Sequence, residues 1–62
     1  MFRNLEAEQA RKGKTNSDMA ELLGMSRNSY ENKKRSGKFS VSQIFILCRF
    51  FDSAFEYLFA TE

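Results

Sequence analysis

The chain predicts an all-α fold, five short helices in one small domain spanning residues 1–62. Three observations carry this expectation. Apolar residues recur three and four apart, and no stretch alternates with a period of two. Three box spacings, Thr15–Asp18, Ser40–Gln43 and Ser53–Glu56, mark helix starts. Gly13, Gly24 and Gly37 follow helical runs, where a left-handed residue ends a helix, and the chain has no proline.

The first helix is expected from Phe2 or Asn4 to Lys12. Phe2, Leu5 and Ala10 face inward, while Glu6, Glu8 and Arg11 lie outside. Its early acids and late bases suit the helix dipole. The second helix is capped by Thr15 and carries Met19, Ala20, Leu22 and Leu23 as its apolar set. Gly24 ends it. Ala20, four residues earlier, is small enough to let a following helix cross closely. Ser26 caps the third helix, and Met25 and Tyr30 have the spacing of a hydrophobic staple. Tyr30 is therefore expected to pack, although its hydroxyl could reach a phosphate at the rim. Two helices joined by such a glycine turn form a helix-turn-helix. Ser36 and Gly37 break the chain before Ser40. In the fourth helix Ile44, Leu47, Cys48 and Phe51 face the core, leaving Phe45, Ile46 and Phe50 over. The fifth helix opens at Ser53 and carries Phe55, Leu58 and Phe59. Phe51 and Phe55 are expected in the core.

Composition narrows the chemistry. One cysteine allows no internal disulfide, and Cys48 reads as a buried thiol in a reducing compartment. With no histidine and one cysteine, no zinc site is expected. No apolar run reaches the ~20 residues that span a bilayer, and the first residues lack a leader's apolar core. A cytoplasmic protein is expected, with no membrane association. No nucleophile stands beside a base and there is no phosphate-binding glycine loop, so no enzyme, cofactor or small-molecule substrate is expected. Glu6 and Glu8, two apart on a helix, point to different sides and form no carboxylate pair.

The net charge is only +2, but it is segregated. From Arg11 to Lys38 eight basic residues (Arg11, Lys12, Lys14, Arg27, Lys33, Lys34, Arg35, Lys38) stand against Asp18, Glu21 and Glu31. The remaining residues are net acidic. A basic middle between acidic ends suits a polyanion on one face. On the third helix Arg27, Asn28 and Asn32 are placed for base edges, since arginine pairs with guanine and asparagine with adenine. Lys14, Ser29, Lys33, Arg35 and Lys38 flank them as phosphate contacts. Glu31 could pair with Arg27 or Arg35, or accept from a cytosine; pairing is favoured. Phe45, Phe50, Tyr57 and Phe59 belong to an aromatic cluster too large for so small a core. They suggest a homodimer interface.

The pattern T-N-S-D-M-A-x-x-x-G-M-S-x-x-x-Y resembles the repressor and Cro-like helix-turn-helix family of phages and bacteria. Thr15, Ala20, Leu23, Gly24, Met25 and Ser26 match its framework, with Tyr30 within the motif. The order of helices around the motif extends the likeness over nearly the whole chain. The resemblance implies a compact five-helix, lambda-repressor-like DNA-binding domain, in which the second and third helices form the helix-turn-helix. It also implies base contacts at Arg27, Asn28 and Asn32, and a phosphate contact at Asn16. Double-stranded DNA is the implied partner, with dimerisation through the C-terminal helix. Two recognition helices about one DNA turn apart would then meet a pseudo-palindromic operator. The function implied is transcriptional regulation, with repression favoured, in a prokaryotic cell or phage-infected host. The chain departs from the family at Asn16, where glutamine is common. It departs also at Tyr30, where an aliphatic residue is preferred, and at Lys33 and Lys34, where apolar residues are frequent. The alternative from another class is a protein-interaction module, an antirepressor or assembly factor, using the Phe-rich C-terminal face.

Overall fold

The computed structural model describes residues 1–61 and contains five helices and no strand among them. They are α1 (Arg3–Arg11), α2 (Asn16–Leu23), α3 (Arg27–Ser36), α4 (Val41–Phe51) and α5 (Phe55–Leu58). No helix among the described residues is long and apolar enough to cross a membrane.

Local chemistry sets most boundaries. Thr15 Oγ1 accepts from Asp18 N at 3.1 Å while Asp18 Oδ2 accepts from Thr15 N at 2.9 Å, a closed capping box. Ser40 and Gln43 repeat it at α4, with Gln43 N donating to Ser40 Oγ at 3.2 Å and Ser40 N to Gln43 Oε1 at 2.9 Å. Ser26 caps α3 through Ser29 N at 3.1 Å. Between α2 and α3 the chain reverses at Gly24, whose φ of 70° only glycine adopts cheaply. Met25 N then donates to Ala20 O at 2.9 Å, which closes the last turn of α2.

Two expected features differ. The Ser53 box does not form: Ser53 Oγ donates to Phe51 O at 3.0 Å, and Ala54 precedes α5 with no side-chain cap. The cause is that Ser53 N donates to Cys48 O, which binds this residue to the end of α4. Between them Asp52 takes a left-handed conformation, φ 50°, which aspartate tolerates better than most residues. Helix α1 also presents another face. Glu8 and Gln9 are buried and Ala10 is exposed. Phe2, Leu5 and Gln9 lie on one helical stripe with Glu8 beside it, and Ala10 falls outside. The polarity of residues 8 and 9 hid that stripe.

The core is Phe2, Leu5, Met19, Ala20, Tyr30, Leu47, Phe51 and Leu58. Helix α2 packs on α3, and α5 closes the bundle against α1 and α4. The radius of gyration is 10.3 Å, against about 10.6 Å for a compact chain of this length. Phe2 lies against Phe39 and Phe59, with ring centroids 6.2 and 5.2 Å away. Phe55, expected inside, is 53% exposed. A four-residue helix has one fully inward position, and Leu58 takes it, so Phe55 stacks on Phe59 at 5.5 Å instead. Leu22 is exposed, and Ile44 and Cys48 are only half-buried.

A polar clamp joins α1 to α5. Asn4 Nδ2 donates to Tyr57 O at 2.8 Å, and Tyr57 OH donates to Glu8 Oε2 at 2.9 Å. Arg11 Nη2 lies 2.6 and 2.7 Å from the two Glu8 oxygens. The Arg11 guanidinium first, then the Tyr57 hydroxyl, hold the Glu8 carboxyl below its usual range. A carboxylate with a depressed folded pKa contributes stability above its unfolded value, and that contribution fades as pH falls through the folded one. Glu8→Gln is therefore expected to lower Tm at pH 7. The gap to the wild type should narrow below the ordinary glutamate value of about 4.3 and close in stronger acid. Thermal melts of both proteins from pH 7 to pH 2 check this.

Candidate nucleic-acid interface

Helix α3 has two faces of different character. Tyr30 and Lys34, four apart, turn inward, with Glu31 and Lys33 half-buried beside them. Arg27, Asn28, Ser29, Asn32 and Arg35 are exposed. Asn28, Asn32 and Arg35 follow one another at helical spacing along one stripe. Arg35 Nη1 donates to Asn32 Oδ1 at 3.0 Å, so Arg35 stands in line with the expected base readers as well as with the phosphate contacts. The Arg27 side chain is 61% exposed and its Nε lies 3.5 Å from Glu31 Oε2, which gives Glu31 the pairing role with Arg27. Ser26 Oγ donates to Ser29 Oγ at 3.0 Å. Lys14 and Lys38 are exposed, and Lys33 Nζ donates to Lys38 O at 3.3 Å, folding over the loop after α3.

The inner face holds a connected polar network that the sequence did not reveal. Tyr30 OH donates to Gln9 Oε1 at 2.8 Å. Gln9 Nε2 donates to Asn16 Oδ1 at 2.9 Å, and Lys34 Nζ donates to the same oxygen at 2.8 Å. Asn16 Nδ2 donates to Glu31 Oε2 at 3.1 Å. Lys34 Nζ also meets Glu6 Oε2 at 2.9 Å and lies 5.1 Å from the centre of the Tyr30 ring. Burial, and then the Glu6 charge, push the Tyr30 phenol far above its usual pKa, so it stays a donor. No buried side-chain nitrogen or oxygen among the described residues lacks a partner.

This network changes three expectations. Tyr30 is fully buried with its hydroxyl committed to Gln9, so it packs and does not reach outward. Lys34 is turned inward and buried, because position 34 lies one turn from Tyr30 on the same stripe. Asn16 sits at the start of α2 as expected, but its oxygen is already taken by two donors and its amide by Glu31.

The aromatic surface is also redistributed. Phe50 is half-buried, edge-on to Phe51 at 5.0 Å and covered by Lys12 Nζ at 5.4 Å. Phe59 is half-buried between Phe2, Phe39 and Phe55. Tyr57 is 44% exposed, but its hydroxyl belongs to the α1–α5 clamp. Of the four expected interface residues, Phe45 alone projects freely, 63% exposed. It lines an apolar groove of about 460 Å³ with Val41, Ile44, Cys48 and Phe55.

No known family, curated protein or solved structure matches this chain. Among the described residues no acidic, cysteine or histidine cluster could hold a metal ion. The outer face of α3 offers forked and amide donors beside flexible cations, which suits base edges and phosphates. The sequence signal for the inner network is the four-residue spacing of Tyr30 and Lys34, while the polarity of Gln9 conceals its place on the inward stripe of α1.

Lys34 combines a buried stem with one exposed acid partner, since the Glu6 side chain is 58% exposed and rehydrates freely. Replacement by an apolar chain of similar length is therefore expected to be tolerated, and truncation is not. Lys34→Met should change the unfolding free energy by less than about 1 kcal/mol, whereas Lys34→Ala should cost about 2 kcal/mol. Urea denaturation of the two variants checks both.

Proposed function

We propose that this chain is a sequence-specific regulator that binds double-stranded DNA through α3. The observation that carries the proposal is the outward row Arg27, Asn28, Asn32 and Arg35 on a helix anchored from behind by Tyr30. A ten-residue helix is about 15 Å long, and a helix fits a major groove about 12 Å wide. In this reading α2 and α3 act as a helix-turn-helix of the repressor and Cro-like kind, a reading supported by the Gly24 turn and by the sequence resemblance. Arg27 and Asn28 lie nearest the bases, with Asn32 one turn further along. Lys14, Ser29, Lys33, Arg35 and Lys38 grip phosphates. Asn16 contributes mainly by holding Glu31, with one amide hydrogen left for the backbone. Regulation, with repression favoured, follows from occupying DNA.

A second copy would dock on the groove lined by Val41, Phe45 and Phe55 rather than on the wider aromatic set. These three residues expose on the order of 300 Å² of apolar surface. A standard interface buries about 800 Å² per partner, so the patch would be its centre. Exposed Arg49 and Glu56 nearby supply both signs of charge for a polar rim. The same groove is what favours the alternative reading, a protein-interaction module.

Selection of bound duplexes from a random pool, at 50 and 200 mM salt, tests the proposal. A palindrome with half-sites about ten base pairs apart is expected. Four cations on phosphates per half-site imply about a hundredfold weaker binding of one half-site at the higher salt, and about ten-thousandfold for the paired site. Arg27→Ala should relax preference at one base pair by about 1–3 kcal/mol, while Lys38→Ala weakens all sequences alike. Weak binding without enrichment would overturn sequence reading. Phe45→Glu should abolish paired half-sites and leave a single half-site bound. If it abolishes function with DNA binding intact, the interaction-module reading prevails.

A further inference from the structure

The polar network behind α3 ends at the residue placed nearest the bases. Its direction is fixed by chemistry. Glu31, as a carboxylate, only accepts, and Lys34 only donates. Asn16 must therefore turn its amide nitrogen to Glu31 and its oxygen to Lys34, as observed at 3.1 and 2.8 Å. Gln9 must then donate to Asn16 and accept from Tyr30, again as observed. The chain of bonds leaves no alternative amide orientation. It runs from a phenol buried in the core to Glu31 Oε2, and from there across 3.5 Å to Arg27 Nε.

We propose that Glu31, locked by Asn16, is the positioning residue that sets the sequence preference of Arg27. This rests on the DNA-binding reading above. Arg27 meets Glu31 through Nε, which leaves unengaged its two terminal nitrogens, the pair that forms a fork with guanine O6 and N7. A fixed guanidinium also loses less rotamer freedom on binding than a loose one. Glu31 is half-buried and its other contacts lie on Asn16, so it acts through Arg27 and not on the base. Its negative charge opposes DNA on every sequence equally. It therefore weakens overall binding while sharpening the choice of base.

The test combines duplex selection at one salt concentration with the Arg27 Nε–H resonance of the free protein. Wild type, Glu31→Gln, Glu31→Ala, Arg27→Ala and the double variant Arg27→Ala with Glu31→Ala are compared. Wild-type Arg27 Nε–H should be distinct from free arginine, and both Glu31 variants should move it to the free position. Preference at the base pair relaxed by Arg27→Ala should fall about tenfold in Glu31→Ala, while affinity for non-cognate duplexes rises. In the Arg27→Ala background, Glu31→Ala should change preference no further. A wild type that selects a motif, with Glu31 variants that select it unchanged, overturns the positioning role and leaves DNA reading intact. Additive loss in the double variant overturns it also. A wild type without preference overturns the DNA reading and the positioning role together.

Discussion

A tyrosine with no exposed surface must still satisfy its hydroxyl, and in this chain Gln9 does so. A buried phenol without a partner would cost about 1–3 kcal/mol, a large part of the stability of a 62-residue domain. The bond sets where α1 can lie relative to α3. Gln9 then reaches Asn16 at the start of α2, so one buried hydroxyl positions three helices. The remaining partners, Lys34, Glu6 and Glu31, complete donors and acceptors that this bond makes necessary. The ion pairs toward solvent are the weaker members, because exposed pairs contribute little.

The second constraint is size. A domain this short buries little apolar surface, and no disulfide is available to staple it. The chain compensates locally, through capping boxes at α2 and α4 and the Ser26 cap at α3. It also compensates with aromatic rings packed edge to face, Phe2 on Phe59 and Phe50 on Phe51, which adds to what burial alone supplies. Four of the seven phenylalanines thus serve the bundle in these pairs alone. The aromatic excess seen in the sequence shrinks to Phe45 and Phe55 beside one groove.

What the sequence revealed follows from interaction range. Thr15, Gly24, Ser26 and Ser40 act on residues within four positions, so their roles were legible from spacing, and so was the inward placement of Ala20 and Tyr30. The stripe on α1 was not legible, because Glu8 and Gln9 look like solvent residues until Tyr57 and Tyr30 arrive from 49 and 21 residues away. Ser53 failed for the opposite reason. Its box spacing was correct, but closing α4 through Cys48 O claimed the residue first. Phe55 shows a third limit, since hydrophobicity says nothing of how many inward positions a four-residue helix can offer. At the candidate interface the outward placement of Arg27, Asn28 and Asn32 was legible from periodicity. The ties of Asn16 and Lys34 required three helices to be seen together.

The two lysines near the end of α3 show how position, not residue type, assigns a role. Lys33 and Lys34 are chemically identical neighbours, yet 100° of helix rotation sends one over the surface loop and the other under Tyr30. A count of basic residues treats them alike and overstates the charge that faces outward. Once Lys34 is paired with Glu6, and Arg11 with Glu8, the basic middle narrows to Lys12, lying over Phe50, and to Lys14, Arg27, Lys33, Arg35 and Lys38. Arg27, Lys33 and Arg35 of that set lie on α3 and Lys38 just after it, where the exposed amides of Asn28 and Asn32 also lie. Pairing thus trims the basic middle toward α3 and the loop after it, while exposed Arg3 and Arg49 keep positive charge elsewhere on the surface, a distribution that segregation along the sequence alone does not give.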